Sequence, residues 1–230
     1  MEETKLGKYR ILYSNSKEYH TLKREIWGED MYYFDTENPS PYIIDVGSHI
    51  GISVLYFKSI YPESTILSFE PNPITFEILK ENVERNVLQD ILLINKAVWK
   101  EETKRPFYID STENMWHSNS SLIENSWTSK EKTEKILIQC TKLSNYIPKE
   151  VDMLKIDIEG LELTVLKEIQ KKLHMINNIA VEYHPIKGNT VKDILKILNQ
   201  YFEIEMYSEG KLLKKPLENK LLTIKGKKRV

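Results

Sequence analysis

The stretch Tyr42-Ile43-Ile44-Asp45-Val46-Gly47-Ser48-His49-Ile50-Gly51 decides the fold. The apolar run Tyr42-Ile43-Ile44 has the character of a buried parallel strand, predicted over 42–46. Ile52, Leu55, Tyr56 and Ile60 follow at helical spacing and predict a helix over 50–60. Between strand and helix lie Gly47 and Gly51, residues that let a backbone approach a ligand where a Cβ would obstruct it. A second apolar strand, Thr65-Ile66-Leu67-Ser68-Phe69, ends at Glu70. A carboxylate at that point of an α/β sheet is placed to accept both hydroxyls of a ribose. The expectation is a nucleoside cofactor.

The glycine spacing narrows which nucleoside. A dinucleotide fingerprint is G-x-G-x-x-G, whereas this loop has G-x-x-x-G. Asp45, just before the turn, would repel a diphosphate. It suits a cationic cofactor, and the sulfonium and amino group of S-adenosylmethionine meet that requirement.

Around this unit the chain alternates strands and helices. Strands are predicted at 65–69, 91–95, 152–157 and 178–183, with helices at 73–86, 161–172 and 190–199. Pro73 sits in a first helical turn, where proline is tolerated. Strands at 201–207 and 220–225, with a turn region at Ser208-Glu209-Gly210, predict a closing antiparallel hairpin. Such alternation gives a mostly parallel sheet covered on both faces. Residues 1–38 hold a predicted strand at 8–13, a helix at 17–27 and an extended piece at 31–34. They are too short for a core of their own and read as a cap or lid. Residues 100–140 interrupt the rhythm with a polar, aromatic-bearing insert, expected as a loop over the active site.

The 230 residues carry 33 basic and 34 acidic side chains, a net charge of −1, so no electrostatic term favours a nucleic-acid partner. Cys140 is the only cysteine; it precludes an intrachain disulfide and reads as a core residue. With no apolar leader at the N-terminus and no long apolar run, the expectation is a cytoplasmic protein with no membrane partner.

Six blocks recur in order at family-like spacing: D-V-G-S-H-I-G-I-S, S-F-E-P-N-P, N-K-A-V, T-K-L-S-N-Y, L-K-I-D-I-E-G-L-E and V-E-Y-H-P. Together, over about residues 40–185, they resemble the FkbM family of S-adenosylmethionine-dependent methyltransferases. The resemblance implies an α/β, Rossmann-like class I methyltransferase fold. Its sheet would be mostly parallel and seven-stranded with the C-terminal antiparallel hairpin, in a domain over 39–230. It implies methyl transfer to a hydroxyl oxygen of a carbohydrate or related small molecule or glycan. His49 departs from the family pattern, which usually has Asn there.

Ligands bind at the carboxyl ends of strands in such sheets. The cofactor candidates are therefore Asp45, Gly47, Ser48, His49, Gly51, Glu70, Pro71, Asn72 and Asp157. The resemblance adds Asn95 and Ala97 on the adenine side. For proton removal from an acceptor hydroxyl the candidates are His184, Asp157 and Glu159. His117, in the insert, is weaker. Asp157 and Glu159 bracket Ile158, so alternation would point both acids one way, and a Mg²⁺ ion on that pair is an unfavoured alternative. Lys155, in the same strand, would neutralise one of them. The competing readings are a nicotinamide-dependent oxidoreductase and a cofactor-binding domain without turnover.

Overall fold

A computed structural model describes residues 1–110, 120–124, 133–186 and 188–229. The chain opens with a hairpin of β1 (Glu2–Leu6) and β2 (Tyr9–Tyr13), then α1 (Ser16–Lys23), which runs into a π-helical turn over Arg24–Gly28. Asn15 caps α1 by accepting from the Glu18 amide. The predicted extended piece at 31–34 is irregular backbone. It delivers Tyr32 and Phe34 into the interior.

The main domain runs β3 (Tyr42–Val46), α2 (Ile52–Ile60), β4 (Thr65–Phe69), α3 (Pro73–Arg85) and β5 (Ile91–Ile94). Next come β6 (Ala97–Val98), β7 (Thr103–Asp110), β8 (Thr133–Thr141) and β9 (Val151–Ile156). The chain finishes with α4 (Glu162–Glu168), β10 (Ile176–Tyr183), α5 (Val191–Leu198), β11 (Phe202–Ser208), β12 (Lys211–Leu213) and β13 (Leu222–Lys228). Asn72 accepts from the Ile74 amide and Pro73 occupies the first turn, which together start α3 where the sequence placed it.

The central sheet has the order β12-β11-β13-β10-β9-β3-β4-β5. Its five strands β10-β9-β3-β4-β5 are parallel, and β13 lies antiparallel between β10 and β11. Among the described residues the sheet has eight strands, where seven were expected; the short edge strand β12 was not predicted. The turn at Ser208-Glu209-Gly210 joins β11 to β12, and β13 pairs with the other edge of β11. The order reverses between β3 and β9, so the crevice at their carboxyl ends is the natural ligand site.

Alternation along the strands divides the core. Ile44, Val46, Leu67, Phe69, Leu154, Ile156 and Val181 pack on one face with α4 and α5. Ile43, Ile66, Met153 and Ala180 face the other way, against α2, α3 and the N-terminal segment. Leu6, Ile11, Tyr19, Tyr32 and Phe34 belong to that second core, so residues 1–38 have no core separate from the domain. The 100–140 region corrects its expectation: its described part contains β7 and most of β8. These pair over their full length and, with β6, form a second sheet. Its apolar side holds Phe107, Ile138 and the buried Cys140.

Candidate functional site

The glycine loop is fixed by its own backbone. The Gly47 and Ser48 amides both donate to the Phe69 carbonyl, at 2.9 and 3.0 Å. Gly47 has φ 85°, and a Cβ there would sit 1.8 Å from the Asp157 carbonyl oxygen. This position needs glycine because the end of β9 presses against it. His49 has φ 51°, a left-handed conformation in which Asn, Asp and His are the favoured side-chain-bearing residues. That accounts in backbone terms for histidine standing where the family pattern has Asn.

The His49 amide donates to Glu70 Oε2 at 2.8 Å. Glu70 Oε1 accepts from the Asn72 amide and the Thr75 hydroxyl, each at 2.8 Å. Three donors thus fix the carboxylate, which still has acceptor capacity on Oε2. Burial pushes the Glu70 carboxyl up to about 7, against the downward pull of those hydrogen bonds and of Lys155.

Glu70 stands on the wall of a cleft with about 610 Å³ of empty space, part of it open to solvent. Gly47, His49, Glu70 and Pro71 form one side; Ala97, Val98, Phe107 and the 120–122 segment form another. Asp157 and Glu159 close the end. The insert therefore borders the cleft through Phe107, Ser120, Ser121 and Leu122. Ser121 also donates to the Glu159 carbonyl at 3.0 Å. His117 lies outside the described residues.

Behind the loop lies a buried polar layer. Asp45, Ser68, Lys155 and Glu182 end four neighbouring strands on the α2 face, where the strand interiors are apolar. Lys155 Nζ lies 3.1 Å from Asp45 Oδ1 and 3.6 Å from Asp157 Oδ2. It also donates to the Gly47 carbonyl at 2.6 Å. Burial alone would depress the ammonium, but Asp45 and Asp157 outweigh it and hold Lys155 above the ordinary lysine value. Ser53 donates to the other Asp45 oxygen at 2.5 Å. The Tyr32 hydroxyl lies 3.4 Å from Asp157 Oδ2 and 3.2 Å from Glu182 Oε2.

His184 is buried between two acids, with Nδ1 2.9 Å from Glu162 Oε1 and Nε2 3.3 Å from Glu159 Oε2. Burial would lower its pKa; Glu159 and Glu162 overcome that and hold it well above the ordinary histidine value. The two flanking carboxylates favour the charged form of the ring. Ligand atoms of Asp157, Glu159 and His184 fall within 4.8 Å of one another, a separation that suits a cation. Both ring nitrogens, however, already face carboxylates of Glu159 and Glu162.

Gly47, His49, Glu70, Pro71, Ala97, Asp157 and Glu159 all line the cleft. Asp45 departs from expectation. It is fully buried behind the loop and neutralised by Lys155, so its charge does not meet a ligand cation. Ser48 is buried and bonded to the Asp45 carbonyl and to Ser68; a Cβ on Gly51 would strike Leu79 of α3. Asn72 is the buried cap of α3, and Asn95 donates to the Glu70 carbonyl at 2.8 Å, so both shape the cleft from behind. His184 stands outside the cleft lining, buried between Glu159 and Glu162. The sequence reading missed Tyr32, Glu162 and Asn189, which donates to Glu162 at 2.5 Å. Glu162 ends the L-K-I-D-I-E-G-L-E block and was the one legible hint.

The family model for the FkbM methyltransferase domain matches residues 45–206, from the acid before the glycine loop into β11. The chain belongs to the FkbM methyltransferase family. Methyltransferase 1 of Beauveria bassiana is 29% identical over 194 residues, covering 76% of this chain and 78% of that protein. Hexuronic acid methyltransferase AglP of Haloferax volcanii is 31% identical over 157 residues, covering 68% of this chain and 60% of its own. Among solved structures, the FkbM methyltransferase of Methylobacillus flagellatus matches with a TM-score of 0.59 at 16% identity. That match covers 86% of this chain and 47% of the other. TYW2 of M. jannaschii, solved with AdoMet, matches with a TM-score of 0.51 at 11% identity, over 99% of this chain and 86% of the other. These two likenesses establish the class I methyltransferase fold for this FkbM domain.

Proposed function

We propose that the chain is an S-adenosylmethionine-dependent O-methyltransferase acting on a hydroxyl of a carbohydrate or related small molecule. The observation that carries the reading is Glu70. It is a carboxylate fixed by three donors at the end of β4, with acceptor capacity left on the wall of the cleft.

The residues fit the cofactor. Glu70 would take the ribose hydroxyls. Ala97, Val98, Phe107 and Leu122 would give an adenine apolar walls. The glycine loop carries no Lys or Arg to receive a diphosphate, which disfavours the nicotinamide reading. When bound, the cofactor supplies a methyl group on a positively charged sulfur.

The chain must then exclude water, align the acceptor oxygen and remove its proton. Asp157 would perform the last task. It lines the cleft, and Lys155 and Tyr32 hold its carboxylate from behind. Glu159, held by the His184 imidazolium, would orient the acceptor through a hydrogen bond. His184 thus acts through Glu159 and does not itself take the proton.

The test is transfer of labelled methyl from S-adenosylmethionine to a panel of polyhydroxylated acceptors, with thermal stabilisation by S-adenosylhomocysteine and by NAD measured in parallel. Methyl incorporation at oxygen and stabilisation by the homocysteine product alone are expected. Stabilisation by NAD in its place would overturn the reading.

A further inference from the structure

The block L-K-I-D-I-E-G-L-E carries three acids, Asp157, Glu159 and Glu162, and the fold separates them. Asp157 and Glu159 line the cleft. Glu162, the first residue of α4, is fully buried and takes no part in that lining. An acid in the first turn of a helix is usually a solvated partner of the helix dipole. A buried carboxylate is tolerated only where donors surround it.

Four groups surround this one. Oε1 accepts from the Gly160 amide at 3.0 Å and from the Ile158 amide at 3.4 Å, and lies 2.9 Å from His184 Nδ1. Oε2 accepts from the Asn189 side chain at 2.5 Å. Asn189 is itself buried; its oxygen accepts from the Leu163 amide and its nitrogen also donates to the His184 carbonyl. Starting α4 would need one such acceptor. The remaining contacts converge on Glu159.

The two amides belong to the residues on either side of Glu159, whose φ is 55°. Glutamate does not adopt this left-handed conformation readily, so the turn holds only where its surroundings fix it. Gly160 follows at φ 96°, and a Cβ there would meet Ile186 at 2.5 Å. The Glu159 side chain is fixed from the same source. His184 has Nδ1 on Glu162 and Nε2 3.3 Å from Glu159 Oε2. The buried carboxylate therefore holds Glu159 by two routes, its flanking amides and a shared imidazole.

We propose that Glu162 is a positioning residue for methyl transfer: it holds the Glu159 backbone in its left-handed turn and, through the His184 ring, sets the direction from which the Glu159 carboxylate meets the acceptor hydroxyl. The proposal rests on the reading above that Glu159 orients the acceptor, and it adds the group that gives Glu159 its place. Position 162 needs a carboxylate. An amide has the same shape, but with its oxygen toward the turn its NH2 would face the NH2 of Asn189, donor against donor.

The experiment compares the parent with Glu162→Gln, Glu159→Gln and the double variant. Crystal structures with S-adenosylhomocysteine should show Glu159 of the Glu162→Gln variant leaving its left-handed backbone and its contact with His184, with Glu70 and the glycine loop in place. Labelled methyl transfer to methyl glucoside, methyl mannoside and myo-inositol should fall about tenfold in each single variant, the worth of one charge-assisted hydrogen bond. The affinity of Glu162→Gln for S-adenosylhomocysteine should be unchanged, which also shows that it is folded. The double variant should lie within about twofold of Glu159→Gln, because a residue that acts through Glu159 has nothing left to position. Asn189→Ser loosens the same carboxylate without removing its charge and should repeat the pattern at smaller amplitude, which keeps the claim testable if Glu162→Gln does not fold. An unmoved Glu159, unchanged turnover in Glu162→Gln, or losses that multiply in the double variant would overturn the proposal. Failure of S-adenosylhomocysteine to bind would instead bring down the cofactor reading, and absence of any methylated acceptor the acceptor reading; the crystal comparison would still decide whether Glu162 places Glu159.

Discussion

Replacing Lys155 by Met isolates the buried charge layer beneath the glycine loop. The ammonium is fully buried, 3.1 Å from Asp45 and 3.6 Å from Asp157, and it donates to the Gly47 carbonyl. Its loss leaves Asp45, also fully buried, with Ser53 as its remaining side-chain hydrogen-bond donor. Breaking one half of a buried pair costs about 3–5 kcal/mol, because the surviving charge has neither water nor a partner. For a chain of this length that corresponds to a fall in Tm of roughly 6–20 °C. Urea denaturation at pH 7 and thermal melting would read both numbers. Asp45→Asn in the same background should recover much of the loss, since an uncharged amide tolerates the site. A single variant within about 1 kcal/mol of the parent, or a double variant worse than the single one, would refute the claim that Lys155 exists to neutralise Asp45.

Three further outcomes follow from the site. Asp157→Asn should lower turnover by roughly 10²–10⁴-fold with little change in S-adenosylhomocysteine affinity, and the parent should keep its activity in EDTA; single-turnover kinetics check the first and a chelator titration the second. His184 has its folded pKa raised above the unfolded value, so its stabilisation is complete below about pH 6.5 and fades as pH climbs through the raised value. Urea midpoints taken from pH 6 to pH 9 should therefore fall more steeply for the parent than for His184→Gln, and parallel curves would contradict the buried imidazolium. Gly47→Ala should destabilise the fold by more than about 2 kcal/mol in urea denaturation, because its Cβ would sit 1.8 Å from the Asp157 carbonyl oxygen at a φ of 85°.

Elements whose cause is local were legible in the sequence. The apolar runs of β3, β4, β9 and β10 and the Asn72-Pro73 start of α3 come through in single short segments. What stayed hidden depends on partners far along the chain. β1 is Glu-Glu-Thr-Lys-Leu, a strand with no apolar alternation, which forms because β2 pairs with it. β7 carries Lys104, Arg105 and Pro106, which reads as a loop until β8 pairs with it. Asp45 was read as a ligand contact because Lys155, 110 positions later, is brought beside it only by the β3–β9 register. Tyr32 meets Asp157 and Glu182 across 125 and 150 residues, and no local pattern announces that. The contact of His184 with Glu162, which comes from the start of α4, is likewise invisible in either segment alone.

The account stands most directly on Glu70, and calorimetric titration of S-adenosylhomocysteine into the parent and into Glu70→Ala tests it. The parent should bind one equivalent, more tightly above pH 7 than at pH 6, because burial holds the Glu70 carboxyl at about 7 and ribose hydroxyls favour the ionised form. Glu70→Ala should remain folded and lose about 2–4 kcal/mol of binding together with that pH dependence. No binding by the parent, or an affinity unchanged in Glu70→Ala, would contradict the assignment of this cleft to the cofactor.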